Sequence, residues 1–253
     1  MKAINLNTEM GESFGPYDIG FDEEMVKYIS SSNIACGFHA GDPMVIDKTV
    51  KLVSEHKVDV GAHPGLKDIQ GFGKREINIS PEEFKNDLIY QIGVMREFCK
   101  KYNVELVHVK SHGAMNEMSK NNKDYAQAMV DAVKAIDDNL IIVAFIGSKL
   151  HEICIKESVR FAAESYADRA LYENGSVVPK EVEGGMIYDH EKVVQRVLKM
   201  VTEGKVTTIE GTEIAVSPDT ICLQGDNREQ VILAEKIFTN LKEYGISIES
   251  LKK

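Results

Sequence analysis

The chain has 253 residues, which at ~150 residues per domain lies between one and two domains and also suits one α/β barrel. With 43% hydrophobic residues, 28% charged residues and six prolines, the composition is globular and excludes disordered, collagen-like and repeat-fibre classes. Lys and Arg number 30 against 40 Asp and Glu, a formal charge of -10; with no basic run to offset it, this disfavours nucleic acid and anionic lipid as partners. The longest apolar stretch, Leu140–Ile146, is far short of the ~20 residues of a membrane span. Met1–Asn7 enters a strand-like pattern without a secretory leader, so the expected location is the cytoplasm.

Short apolar or β-branched runs alternate with longer amphipathic segments throughout, the pattern of parallel strands with helical crossovers. The predicted strands are Ala3–Asn7, Asn33–Cys36, Val58–His63, Leu106–Lys110, Leu140–Ile146, Arg160–Tyr166 and Thr220–Gln224. Helical spacing covers Asp22–Ser32, Pro43–His56, Pro81–Tyr102, Lys123–Ile136, Ser148–Glu157, Asp189–Glu203 and Arg228–Tyr244. Ser80-Pro81-Glu82-Glu83 is a helix start with a capping box. Val206–Ile209 and Thr212–Val216, around Glu210-Gly211, predict a hairpin with a two-residue turn inserted at about 206–216. With no linker composition anywhere, residues 1–253 read as a single domain. Seven β/α units close into a barrel or lie open as a doubly wound sheet; both put ligands at the C-terminal strand ends.

Those ends are where ionisable residues and glycines gather. Asn7, Glu9 and Glu12 follow the first strand, His39 and Asp42 the second, His63 the third, and Lys110 and His112 the fourth; Asp168 and Arg169 follow the sixth and Asp226 the seventh. Glycine lets the backbone approach a ligand, while His, Glu, Asp and Lys transfer protons or ligate metals. His39, His63 and His112 form a functional set, whereas His56, His151 and His190 sit on helices or their flanks. His108 shares a strand face with Lys110 and is expected behind the site or in the core. Lys110, if buried, needs Glu9, Glu12 or a substrate carboxylate as partner. Arg169 is a candidate anion clamp beside Asp168. The four cysteines are dispersed and read as reduced, buried thiols. No Walker loop, Rossmann fingerprint, Gly-x-Ser-x-Gly elbow or His-Glu-x-x-His motif occurs. Gly71-Phe72-Gly73-Lys74-Arg75 is the one glycine-rich candidate for phosphate, through Gly71, Gly73, Lys74 and Arg75.

Asn5–Phe14 followed by Gly15, Asn33–Pro43 (NIACGFHAGDP), Gly61–Gly65 (GAHPG), Gln70–Gly73 (QGFG), Val109–Ala114 (VKSHGA), Ala167–Arg169 (ADR) and Gly225-Asp226 together resemble the LamB/YcsF family, to which the A component of ATP-dependent 5-oxoprolinase belongs. The likeness spans about residues 3–248. It implies a seven-stranded parallel β/α barrel of the glycoside hydrolase/deacetylase type. It further implies opening of the 5-oxo-L-proline lactam to L-glutamate, driven by ATP with Mg2+ and performed with subunits B and C. Asn5, Thr8, Glu9, Ser111 and Gln224 depart from that family's usual Asp, Cys, Asp, Pro and His.

Amide resonance makes a lactam carbonyl a poor electrophile, so ring opening at neutral pH needs activation. On this reading His39 or His63 with Glu9 or Glu12 activates water, and His112 protonates the leaving nitrogen or steadies the phosphorylated oxygen. Lys110 or Arg169 meets the substrate's negative charge, and Asn7, Asp42, Asp168 and Asp226 line the substrate. Two other readings are a deacetylase of N-acetylated sugars with a metal on Glu9, His39 and His63, and a non-catalytic 5-oxoproline-binding subunit.

Overall fold

The computed structural model describes residues 2–252. Seven strands, β1 (Ala3–Met10), β2 (Ser31–Ala35), β3 (Asp59–His63), β4 (Leu106–Val109), β5 (Ile141–Phe145), β6 (Phe161–Tyr166) and, further along the chain, β9 (Thr220–Leu223), pair in parallel in that order. β9 returns to β1, with Asn7 opposite Cys222, and closes the barrel. All seven predicted strands are present, and the closed barrel decides between the two topologies that the sequence allows.

Helices α1 (Asp22–Met25), α2 (Pro43–Glu55), α3 (Pro81–Lys101), α4 (Gly113–Asn121), α5 (Lys123–Ile136), α6 (Lys149–Lys156), α7 (His190–Glu203) and α8 (Arg228–Glu243) accompany the strands. α3 shows why they pack: Phe84, Leu88, Ile92, Met95 and Cys99 recur at helical spacing and are all buried. Its start carries the full capping box between Ser80 and Glu83.

The sequence pattern needs correcting in three places. The helix expected over Asp22–Ser32 stops at Met25, because Ser31 and Ser32 belong to β2, where Ser32 donates to the Asp59 carbonyl. α4 is absent from the predicted helices: it starts at Gly113 with no side-chain cap to announce it. The hairpin is real, pairing β7 (Lys205–Thr207) with β8 (Glu213–Ala215), but residues 208–212 form a longer turn than two residues. There the Thr208 N–H donates to the Thr212 carbonyl and the two hydroxyls pair at 2.9 Å.

Near its C-terminus the chain adds β10 (Ser247–Ile248) beside the start of β1. The Glu249 carbonyl accepts from Asn5, and the Leu251 N–H donates to Asp59, which lies at the start of β3. These contacts cover the N-terminal end of the barrel. Among the described residues no helix is long and apolar enough to cross a membrane.

Candidate functional site

A parallel barrel ordinarily fills with branched apolar side chains. This one carries a polar floor. Lys110, just beyond β4, is 2% exposed and extends its ammonium to Glu164 of β6 (2.9 Å), Asn7 of β1 (3.3 Å) and Cys222 of β9 (3.1 Å). Asn7 donates to Glu164 and Thr220 and accepts from Asn33, which itself accepts from His108. Burial works against a charged Lys110, but Cys222, Glu164 and Glu9 around it outweigh that and hold its pKa well above the ordinary lysine value. Burial, then Lys110 and His63, push His108 down to about 3, so it is neutral. Gly61 makes room for it: a Cβ there would lie 2.0 Å from the His108 ring.

Above the floor, three imidazoles meet two carboxylates. His63, the last residue of β3, holds its Nδ1 2.6 Å from the Lys110 carbonyl, and His112 holds its Nε2 2.8 Å from the Phe72 carbonyl. Carbonyls only accept, so those nitrogens carry the protons. The opposite nitrogens, His63 Nε2 and His112 Nδ1, face each other at 3.1 Å and approach Glu9 at 3.3 and 3.6 Å. Two ring nitrogens so close to each other and to a carboxylate call for a proton or a cation among them. His39 stacks on His112 at 3.9 Å between ring centres and has no partner for either nitrogen. Burial and the two neighbouring histidines lower its pKa well below the ordinary value. Gly65 and Gly73 are the reason His39 fits, since a Cβ at either would come within 2.6 Å of it. Gln91 of α3 pins Gly65 through both its N–H and its carbonyl.

Glu9 and Glu12 are driven apart. Burial would raise Glu9, but His63, His112 and Lys110 hold it well below the carboxylate range. Burial, the Glu9 charge and Asp22 push Glu12 well above it, and Glu12 Oε1 has no partner. Two carboxyls with opposed preferences suit separate acid and base tasks. Donor atoms of Glu12, His39, His63 and His112 all lie within 4.8 Å of one another. Three imidazoles and a carboxylate, several unpartnered, fit a borderline divalent cation. The fitting set thus takes Glu12 and His112, where the sequence pattern points to Glu9 beside His39 and His63.

The remaining expected residues divide. Asn7 is fully buried in the floor with its amide spent there. Asp42 spends its carboxylate on the N–H groups of Met44 and Val45 at the start of α2 and of Gly15. Arg169 donates to the Val178 carbonyl; Asp168 is buried beside Gln230, and Asp226 is exposed. In the 71–75 loop the N–H groups of Gly71, Phe72, Gly73 and Lys74 all bond within the loop or to nearby Asp68 and Ile69, and Asp68 grips the Arg75 guanidinium. That backbone is no phosphate cradle. Its glycines serve close packing, and Phe72, at φ 54°, turns its carbonyl onto His112. Glu164, Asn33 and Gln91 escape a reading of the sequence alone; the available signal is a lone Glu inside the buried run Phe161–Tyr166.

Residues 4–253 match the model of the LamB/YcsF family. The chain belongs to that family. It is 51% identical over 251 residues to the A component of 5-oxoprolinase from Natranaerobius thermophilus, covering 99% of this chain and 98% of that one. The protein of the same name from Pyrococcus furiosus is 42% identical, covering 97% of this chain and 96% of that one. The crystal structure of a lactam utilization protein from Thermus thermophilus superposes with a TM-score of 0.95 at 38% identity, covering 98% of this chain and 100% of that one. A cellobiose-phosphate cleavage protein structure from Enterococcus faecalis, at TM-score 0.57 and 12% identity, shares the fold alone.

Proposed function

We propose that this LamB/YcsF member is the lactam-opening subunit of an ATP-dependent 5-oxoprolinase, hydrolysing 5-oxo-L-proline to L-glutamate in the cytoplasm with subunits B and C. The observation that carries this is the facing pair of imidazole nitrogens beside an ionised Glu9 at the C-terminal end of the barrel, in a chain so close to proteins named for that component. ATP, with Mg2+, transfers its γ-phosphoryl to the lactam oxygen. Water then attacks carbon, and the ring nitrogen leaves with a proton; a second water hydrolyses the resulting acyl phosphate. His63, aligned by the Lys110 carbonyl and backed by Glu9, takes the proton from water. His112 returns a proton to the leaving nitrogen, and Glu12, raised in pKa, is the other proton source. With a divalent cation bound in place of those protons, Glu12, His39, His63 and His112 would hold it as ligands, and its chemistry would be Lewis acidity toward a carbonyl oxygen.

Since the 71–75 backbone is already hydrogen-bonded, ATP is held chiefly by the partner subunits, with exposed Lys74 the nearest cation of that loop left for its phosphates. The test is glutamate release from 5-oxoproline with and without ATP, by this chain alone and then with subunits B and C. Activity is expected only in the full mixture with ATP. No glutamate in any mixture overturns the substrate; full activity from the chain alone overturns the division of labour. The unpartnered Glu12 and His39 atoms favour a second reading, a metal-dependent deacetylase. Acetate release from an N-acetylated sugar, with stoichiometric metal retained through purification, would support it.

A further inference from the structure

Glu164 is a buried carboxyl inside the barrel that the proposed reaction does not use. It lies in β6, 3% exposed, where Phe161, Ala162 and Ala163 precede it and Ser165 and Tyr166 follow. A carboxylate in such a strand costs several kcal/mol unless paired and hydrogen-bonded. Its pairing is specific: Lys110 Nζ at 2.9 Å and the Asn7 amide at 3.1 Å, both onto Oε1. Asn7 is in turn oriented by Asn33 and Thr220, so its amide faces Glu164 in one sense only. Lys110 stands between Glu164 and the mouth. Its ammonium is 3.7 Å from Glu9, and its own carbonyl fixes the His63 ring. A lysine has a long, flexible stem, and without Glu164 its nearest carboxylate is Glu9, toward which it would swing.

We propose that Glu164 is a positioning residue: acting through Lys110, it draws the ammonium down to the barrel floor, so that Glu9 stays free to serve His63 and His112. The inference deepens the lactam-opening reading and, for its kinetic arm, rests on it. Glu164 touches no reacting atom, and its influence should vanish when Lys110 is gone.

The test is a double-mutant cycle in the reconstituted complex. Glu164→Gln keeps the shape and removes the charge; it should lower kcat by about 10- to 100-fold, the scale of a misplaced catalytic group, with KM for 5-oxoproline within about threefold. Glu164→Asp should recover part of the loss. Lys110→Met with Glu164→Gln should be no less active than Lys110→Met alone, and should melt higher, because the unpaired buried carboxylate is gone. Multiplying losses in the cycle, or Glu164→Gln within twofold of the parent, would overturn the proposal. If the parent complex itself releases no glutamate, the substrate reading fails, and the proposal is decided by the crystal structure of Glu164→Gln. There Lys110 Nζ moved onto Glu9 supports it, and Nζ unmoved overturns it.

Discussion

Two buried polar assemblies lie one above the other in this barrel, and they are satisfied to different degrees. In the floor of Lys110, Glu164, Asn7 and Asn33, hydrogen bonds link every member, and only His108 Nδ1 at its edge lacks a partner. In the mouth, Glu12 Oε1 and both nitrogens of His39 have none, and His63 and His112 turn a ring nitrogen each toward the other. Unsatisfied buried polar atoms cost free energy. A fold keeps them where a ligand completes them, which supports reading the floor as scaffold and the mouth as the place for the proposed substrate.

The comparison is most open to attack at the floor. Lys110→Met leaves Glu164 buried without its cation and should cost about 3–5 kcal/mol of stability, read from urea unfolding; a loss under ~1 kcal/mol would mean the pair contributes little. The mouth should behave in the opposite way. His39→Ala or His63→Ala should lower glutamate release by at least ~100-fold, the scale of a lost acid or base. His39→Ala should cost far less stability than Lys110→Met, because His39 gives up no hydrogen bond. Unfolding of His39→Ala, with activity per folded molecule retained, would make the mouth scaffold as well.

The same contrast explains what is legible in the sequence. The strands are readable because each is a short apolar run between amphipathic helices, and the mouth is readable because His39, His63 and His112 stand beside glycines at strand ends. The floor is not. Asn33 and Glu164 each sit in a short strand beside a serine, with nothing local to mark them, and their partners lie on strands far away in sequence. No local pattern reveals that Glu164 meets Lys110. Asp42 misleads for a related reason: a carboxylate at a strand end reads as a ligand-binding group until the helix it caps is seen.

A pH titration sharpens the comparison further. The neutral floor histidine, His108, is held at about 3 by burial and by Lys110 and His63, against ~6.5 in an unfolded chain. Below pH ~6.5 the unfolded state takes up a proton that the folded state refuses. Stability from this group is therefore complete above that pH and falls as the pH drops toward 3. By pH ~5 the loss is about 2 kcal/mol. His39 and His63, also lowered, act in the same direction. His108→Gln should remove only its own share, seen as a shallower fall of the urea midpoint from pH ~7 to pH ~5. An unchanged slope would show that His108 is protonated in the fold.

The smallest effect concerns Asp42, which separates mouth from scaffold on chemical grounds. Its carboxylate accepts from Met44 and Val45 at the first turn of α2 and, through the other oxygen, from Gly15 in the loop after β1. The N–H groups of Val45 and Gly15 hold its pKa down, so it is an ionised cap at a helix N-terminus. Removing such a cap costs ~1 kcal/mol. Asp42→Ala should lower stability by that amount through α2 and the loop at Gly15, with KM for 5-oxoproline within about twofold of the parent. Asp42→Asn keeps an oxygen that can cap and should cost less. A large rise in KM with no loss of stability, in both variants, would move Asp42 out of the scaffold and return it to the substrate.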